Sequence, residues 1–230
     1  MNITVIISAN AEWRAVKTLY PALSLQQSPF GEFADVELGT RRLRLFQGGW
    51  GKISAAASAQ YAIDHFRPDL LVNLGTCGGI KGRVQVGRVI LVEETIIYDI
   101  FEQMGNNDEA IAHYFTRLDL SWLGENLPFS ALRGRLLSAD RDIVSQDVPM
   151  LIQKYDAIAA DWESGALAWV AQRNGVRCLI LRAVTDLVGE DGGEAYGNIN
   201  LFEQRTQVVM STLLRQLPAW LSLVSLSHRS

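Results

Sequence analysis

Glu163 and Asp186 stand at the two ends of one helix–strand unit, the part of this chain best suited to chemistry. Asp161-Trp162-Glu163-Ser164-Gly165 opens a helical pattern that runs to about residue 174. Gly175 follows, where a left-handed residue ends a helix. A buried strand begins at Cys178-Leu179-Ile180-Leu181, continues through Arg182-Ala183-Val184 and is expected to stop at Thr185-Asp186. In open α/β sheets, ligands bind beyond the carboxyl ends of strands. Asp186 therefore occupies a place where chemistry is usually done, and an acid there needs a reason.

The elements that position these residues alternate along the chain. Ile3-Thr4-Val5-Ile6-Ile7 reads as a first buried strand, and residues 12–19 as a helix with Pro21 just past its end. Residues 33–38 and 43–47 form a strand pair around a turn at Gly39-Thr40. Gly48-Gly49-Trp50-Gly51 reads as a loop, and residues 52–66 as a helix rich in Ala and Ser. Leu70-Leu71-Val72-Asn73-Leu74 is a buried strand expected to end at Gly75-Thr76-Cys77-Gly78-Gly79. Further strands are expected at 89–92 and 135–137. Such alternation implies an α/β fold: a three-layer α/β/α sandwich with a mixed central sheet, in a single domain spanning 1–230. Residues 97–126 and 189–200 are the least regular. The second, with Gly189, Gly192, Gly193 and Gly197, reads either as a mobile lid or as an ordinary surface loop.

The bulk numbers exclude several classes. At 230 residues, 48% hydrophobic and 20% charged, the chain can bury a sizeable core and does not have the composition of a disordered one. A net charge of -4 with no basic stripe argues against nucleic-acid binding. Cys77 and Cys178 lie in apolar runs and read as reduced core thiols of a cytoplasmic protein. Met1-Asn2-Ile3-Thr4-Val5 lacks the character of a signal peptide, and no apolar run reaches the ~18 residues of a membrane helix. The apolar segment 217–226 is expected to finish a docked helix.

Several familiar motifs fail. Gly51-Lys52 lacks the Ser or Thr and the upstream Gly of a phosphate-binding loop, since Ile53 follows. Gly49-Trp50-Gly51 lacks the third glycine of a dinucleotide fingerprint. Three histidines, His65, His113 and His228, without H-E-x-x-H argue against zinc. No G-x-S-x-G elbow supports a serine triad. Loop glycines and carboxylates at strand ends remain.

Four separated segments carry a family resemblance: Ser8-Ala9-Asn10-Ala11-Glu12, Gly48-Gly49-Trp50-Gly51-Lys52, Asn73 through Gly79, and Asp161-Trp162-Glu163 with Arg182-Ala183-Val184-Thr185-Asp186. In that order and spacing, over nearly the whole length, the chain resembles the nucleoside phosphorylase/nucleosidase superfamily, closest to the methylthioadenosine/S-adenosylhomocysteine nucleosidases. The resemblance implies cleavage of an N-glycosidic bond of a small-molecule nucleoside, with no metal or organic cofactor. Asp186 matches the acid that protonates the purine at N7. Glu163 matches the carboxylate that holds the ribose hydroxyls, and Glu12 the residue that activates water. Thr76 and Gly78 would shape the water and sugar site. A homodimer is implied, with residues 97–126 reaching the partner's pocket.

Asn73 and the first loop separate hydrolysis from phosphorolysis. Phosphorylases of the hexameric branch carry an arginine at the position of Asn73 and another in the loop after the first strand, where this chain has Glu12. Phosphate would forgo charge-assisted bonds worth roughly 1.5–3 kcal/mol each and meet a carboxylate, so water is the expected nucleophile. The alternatives are a phosphorylase using Arg42, Arg44 or Arg83, and a non-catalytic nucleoside-binding protein of the same fold. The chain departs from the family where a Phe would stack on adenine: Asp142 stands there, followed by Ile143, whose backbone would read the base. Asp142 would accept from an exocyclic amine or pair with Arg141 or Arg182. Trp50, where the family has a small aliphatic residue, and Trp162, where it commonly has Met beneath the ribose, would supply the missing face or fill the core. Phe202 would cap the 5′ pocket or anchor the core. The 5′ substituent is not legible from these residues.

Overall fold

The computed structural model describes residues 1–224. Its elements, in order, are β1 (Ile3–Ile7), α1 (Asn10–Leu19), β2 (Gln26–Gln27), β3 (Glu32–Leu38), β4 (Arg41–Gln47), α2 (Lys52–Phe66), β5 (Leu70–Ile80), β6 (Val89–Ile97), α3 (Asn107–His113), β7 (Thr116–Arg117), β8 (Leu132–Ser138), α4 (Val148–Tyr155), β9 (Ala159–Asp161), α5 (Ser164–Arg173), β10 (Arg177–Gly189), β11 (Gly192–Gly193) and α6 (Ile199–Ser222). All the strands join one mixed sheet, in the order β11-β10-β6-β8-β9-β5-β1-β4-β3-β2, with β7 on β6. Helices lie on both sides of it: α1 packs with α6, and α2 with α5. The fold is α/β, as the alternation of elements implies.

The apolar runs explain the sheet's centre. Ile3–Ile7 is buried throughout, and β1 lies parallel between β4 and β5. Burial on both faces is what a continuous apolar run provides. The Ala and Ser residues of α2 do the expected work, since Ala55, Ser58, Ala59 and Ala62 are buried. On the opposite side Leu213, Leu214, Leu217 and Trp220 of α6 are fully buried. The apolar segment expected to finish a docked helix does so as far as Ser222. Residues 225–226 of it lie outside the described residues.

Two strands run further than their sequence predicts. β5 does not end at Leu74 but passes through Gly75–Gly79 to Ile80, and β10 does not stop at Thr185-Asp186 but reaches Gly189. Their partnership is the reason: β10 pairs in parallel with β5 from Arg177↔Leu70 to Val188↔Ile80. The glycines serve close packing. A Cβ at Gly79 would lie 2.5 Å from Val84 and 2.8 Å from Val184. β9 pairs with both β5 and β8, β8 with β6, and β6 with β10. Five strands thus close into a ring, β5-β9-β8-β6-β10. Asp161 also differs from its expectation, ending β9 instead of opening the helix. α5 begins at Ser164, with Glu163 at its N-cap.

Candidate active site

A cavity of about 660 Å³ opens over this ring, and Glu12, Trp50, Thr76, Gly78, Ile143, Trp162, Glu163, Asp186 and Phe202 all line it. The sequence scatters them over 190 positions. The ring of strands and the ends of α1, α5 and α6 bring them to one space.

Glu12 sits in the first turn of α1 and folds back over the helix start. Its Oε2 accepts from the backbone N–H of Ala9 at 3.0 Å and of Ser8 at 3.3 Å, amides that a helix terminus leaves unpaired. Its Oε1 accepts from Thr76, at 2.6 Å from the backbone N–H and 2.9 Å from the hydroxyl. These bonds lock the carboxylate at the cavity floor.

Beneath the floor lies Arg182, with no exposed surface. Its Nη2 reaches Asp161 at 2.8 Å and donates to Asn73 Oδ1 at 2.7 Å, while Nε donates to Ser164 Oγ at 2.9 Å. The same guanidinium stands 3.7 Å from Glu12 and 3.6 Å from Glu163. A Cβ at Gly75 would lie 2.0 Å from Nη1, so only glycine leaves room for this cation. Arg182 therefore balances three carboxylates. This role is not among the sequence expectations for Arg182, which name it in the fourth family segment and as a partner for Asp142. A charge inside the apolar run Leu179–Val184 was the available signal, because a buried cation requires paired anions.

Glu163 accepts from the backbone N–H of Gly51 at 3.0 Å. Burial pushes its carboxyl up to about 8. Arg182 opposes that rise, and Asp161 and Glu12 add to it. Between the ordinary value of 4.5 and about 8, the folded chain holds a proton that the unfolded chain has released. The resulting stabilisation is complete below 4.5 and lost as the pH climbs through about 8. Glu163→Gln stays neutral at every pH. Melting temperatures taken across this window should show wild type losing stability relative to Glu163→Gln as the pH rises. A pH-independent difference would mean that Glu163 is charged throughout.

Asp186 owes its direction to an irregularity in β10. Val184 pairs with Cys77 and Asp186 with Gly78, so Thr185 is an extra residue. Such bulges re-aim side chains beside active sites. The Thr185 hydroxyl donates to Asp186 Oδ1 at 2.9 Å. Burial raises the carboxyl above the usual aspartate range, against the Thr185 hydrogen bond and Arg205.

Trp50 and Trp162 pack against each other, with ring centroids 5.4 Å apart, beside the Gly51–Glu163 contact. Trp50 is 60% exposed, so it does not fill the core. Phe202 stands on the first turn of α6.

Two expectations need correction, and Asn73 takes a place of its own. Asp142 lines the cavity but pairs with neither arginine, because Arg141 bonds Asp147 and Arg182 is held below. Asn73 does not line the cavity. It is fully buried, donates to Ile6 O at 3.0 Å and accepts from Arg182. Arg42 and Arg44 pair with Asp35, and Arg83 with Asp156; none of the three lines the cavity.

A mixed sheet closed on itself under a carboxylate-bearing cavity, flanked by helices on both sides, defines an α/β protein with a cavity of small-molecule size. The sequence from residue 5 to residue 217 matches the family described as the phosphorylase superfamily, and the chain belongs to it. It is 29% identical over 184 residues to a 5′-methylthioadenosine/S-adenosylhomocysteine nucleosidase of Maridesulfovibrio salexigens, covering 74% of this chain and 77% of that one. It is 25% identical over 181 residues to the nucleosidase of that name from Geobacillus kaustophilus, covering 72% and 75%. Among solved structures it resembles the Helicobacter pylori nucleosidase with butyl-thio-DADMe-Immucillin-A, with a TM-score of 0.78 at 16% identity over 96% of this chain and 98% of that one. It also resembles the Streptococcus pyogenes S-adenosylhomocysteine nucleosidase in complex with 5-methylthiotubericidin, with a TM-score of 0.73 at 18% identity over 95% and 98%.

Proposed function

We propose that the protein is a purine-nucleoside N-glycosidase that hydrolyses a 5′-substituted adenosine, of methylthioadenosine or S-adenosylhomocysteine type, to free base and a ribose derivative. The observation that carries this reading is the meeting of Glu12, Glu163 and Asp186 on one cavity. Asp186, whose burial favours the protonated form, gives its proton to N7 of the purine as the C1′–N9 bond breaks. The base leaves neutral. Water attacks C1′, and Glu12 takes the proton that water loses. Glu163 holds the ribose hydroxyls; hydrogen bonds donated by them favour its charged form against the burial that raises its carboxyl to about 8, and that charge opposes the positive charge that develops on the sugar. Two carboxyls flanking the reacting carbon, one for the leaving group and one for water, follow the logic of inverting glycoside hydrolysis.

Water is preferred to phosphate on electrostatic grounds. Arg182 is committed to buried carboxylates, Arg141 is paired with Asp147, and Glu12 stands where a phosphate dianion would approach. The test is base release from a panel of nucleosides with varied bases and 5′ groups, with and without inorganic phosphate. Phosphate-independent release of adenine and a free ribose derivative is expected. Release that requires phosphate, with a ribose 1-phosphate product, would replace hydrolysis by phosphorolysis. Binding without turnover across the panel would leave a nucleoside-binding protein.

The reading extends to a single-domain cytoplasmic homodimer. Buried, unpaired Cys77 and Cys178 suit a reducing compartment. Among the described residues no helix is long and apolar enough to cross a membrane. Phe101 at 80% and Met104 at 97% exposure, in the 97–126 segment, offer apolar surface for a second copy.

A further inference from the structure

Tyr196 lines the cavity on the side of Asp186, and nothing in the sequence patterns singles it out. It belongs to the segment between β11 and α6. Its ring lies against Gly193, where a Cβ would fall 2.6–2.7 Å from three ring atoms. Its hydroxyl donates to the Ile143 carbonyl at 2.8 Å. The Ile143 side chain in turn covers Gly78, with Cδ1 3.6 Å from where a Cβ would stand there, and Gly78 is the register partner of Asp186. A chain of contacts therefore links the ring to the strand position opposite the acid.

The segment that carries Tyr196 is braced. Glu194 N–H donates to Leu187 O at 3.0 Å. Arg205 spans Glu194 at 2.8 Å and the Thr185 carbonyl at 2.9 Å. The bulge that aims Asp186 and the loop that carries Tyr196 share this brace. Tyr196 keeps 44% of its surface exposed although its hydroxyl is bonded to Ile143 and its ring lies against Gly193. Trp50 and Trp162 pack against each other beside the Gly51–Glu163 contact.

We propose that Tyr196 is a specificity-determining residue of the leaving-group subsite, its ring forming the wall on which the departing purine stacks and its hydroxyl bond to Ile143 holding that ring in place. This rests on the nucleosidase reading above. A two-ring base covers more of such a wall than a one-ring base, so the wall selects purines over pyrimidines. Stacking needs only a flat π-face on the ligand.

The test uses calorimetric binding of two probes, free adenine and 5-methylthioribose, to the full chain and four variants. Tyr196→Ala should weaken adenine binding about 5- to 150-fold, the range one base–aromatic stack spans, and leave 5-methylthioribose binding unaltered. With the nucleoside as substrate, the loss should fall on KM more than on kcat. Tyr196→Phe, which keeps the ring but loses its tie to Ile143, should fall between wild type and Tyr196→Ala. Gly193→Ala pushes on the ring, so it should weaken adenine binding in the wild-type background and add nothing in Tyr196→Ala/Gly193→Ala. Unchanged adenine binding by Tyr196→Ala, or equal losses for both probes, would overturn the proposal. A wild-type protein that releases no base from any nucleoside would instead sink the nucleosidase reading itself. Active wild type with an indifferent Tyr196→Ala variant removes only the role of Tyr196.

Discussion

Asp186→Asn should lower kcat on a purine nucleoside by about 10²–10⁴-fold, the contribution of one positioned general acid. The substitution keeps the shape of the side chain and leaves an oxygen to accept from the Thr185 hydroxyl, now at 2.9 Å. It removes only the transferable proton. Because burial disfavours the charged carboxylate here, a neutral amide relieves that penalty, and the melting temperature should hold or rise. Loss of activity without loss of stability separates a catalytic acid from a structural one. The leaving group adds a second control. A riboside of 4-nitrophenol needs no protonation to depart, so the variant should cleave it with a much smaller deficit. Wild-type kcat on adenosine derivatives, or an equal deficit on both substrates, would remove Asp186 from the acid's role.

Arg182→Met should cost about 3–5 kcal/mol of stability, the usual cost of leaving buried charge uncompensated. For a chain of this size that corresponds to a fall in Tm of roughly 6–20 °C. Arg182 is the only cation paired with Asp161, Glu12 and Glu163 among the described residues. Arg182→Lys restores the charge without the planar fork that serves Asp161, Asn73 and Ser164 together, so it should fall between Arg182→Met and wild type. Asp161→Asn added to Arg182→Met should recover part of the loss, because it removes one of the stranded charges. An Arg182→Met protein that melts with wild type would show that the cluster is neutralised by protons and not by the arginine.

These two residues also mark what a sequence can disclose. Runs with one dominant environment were readable: Ile3–Ile7 as a buried strand, Lys52–Phe66 as a helix, and the β3–β4 hairpin around Gly39, whose φ is +61°. Gly175, at φ +63°, ends α5 as expected. Gly75, Gly78 and Gly79 misled the reading, since glycine signals a loop unless a neighbour presses on it. That neighbour was Arg182, Ile143 or Val184, known only after folding. The extra residue at Thr185 was invisible for the same reason, because a bulge is a relation between two strands. Of the nine residues expected at the site, seven lie in the four segments that carry the family resemblance, and Ile143 and Phe202 were placed by comparison with the family outside them. Arg182, Asp161 and Tyr196 lay outside its chemistry and required coordinates, and Asn73 proved to be Arg182's anchor.

A sheet whose strands close on themselves cannot slide one member without sliding the others. β5 carries Thr76, the anchor of Glu12, and β10 carries Asp186; both are members of the β5-β9-β8-β6-β10 cycle. The spacing between the Thr76 and Asp186 sides of the cavity is thereby a topological constant. Residues 139–147 and 190–198 hang outside that cycle. Insertions there can reshape what enters the cavity while the distance between Thr76 and Asp186 stays put.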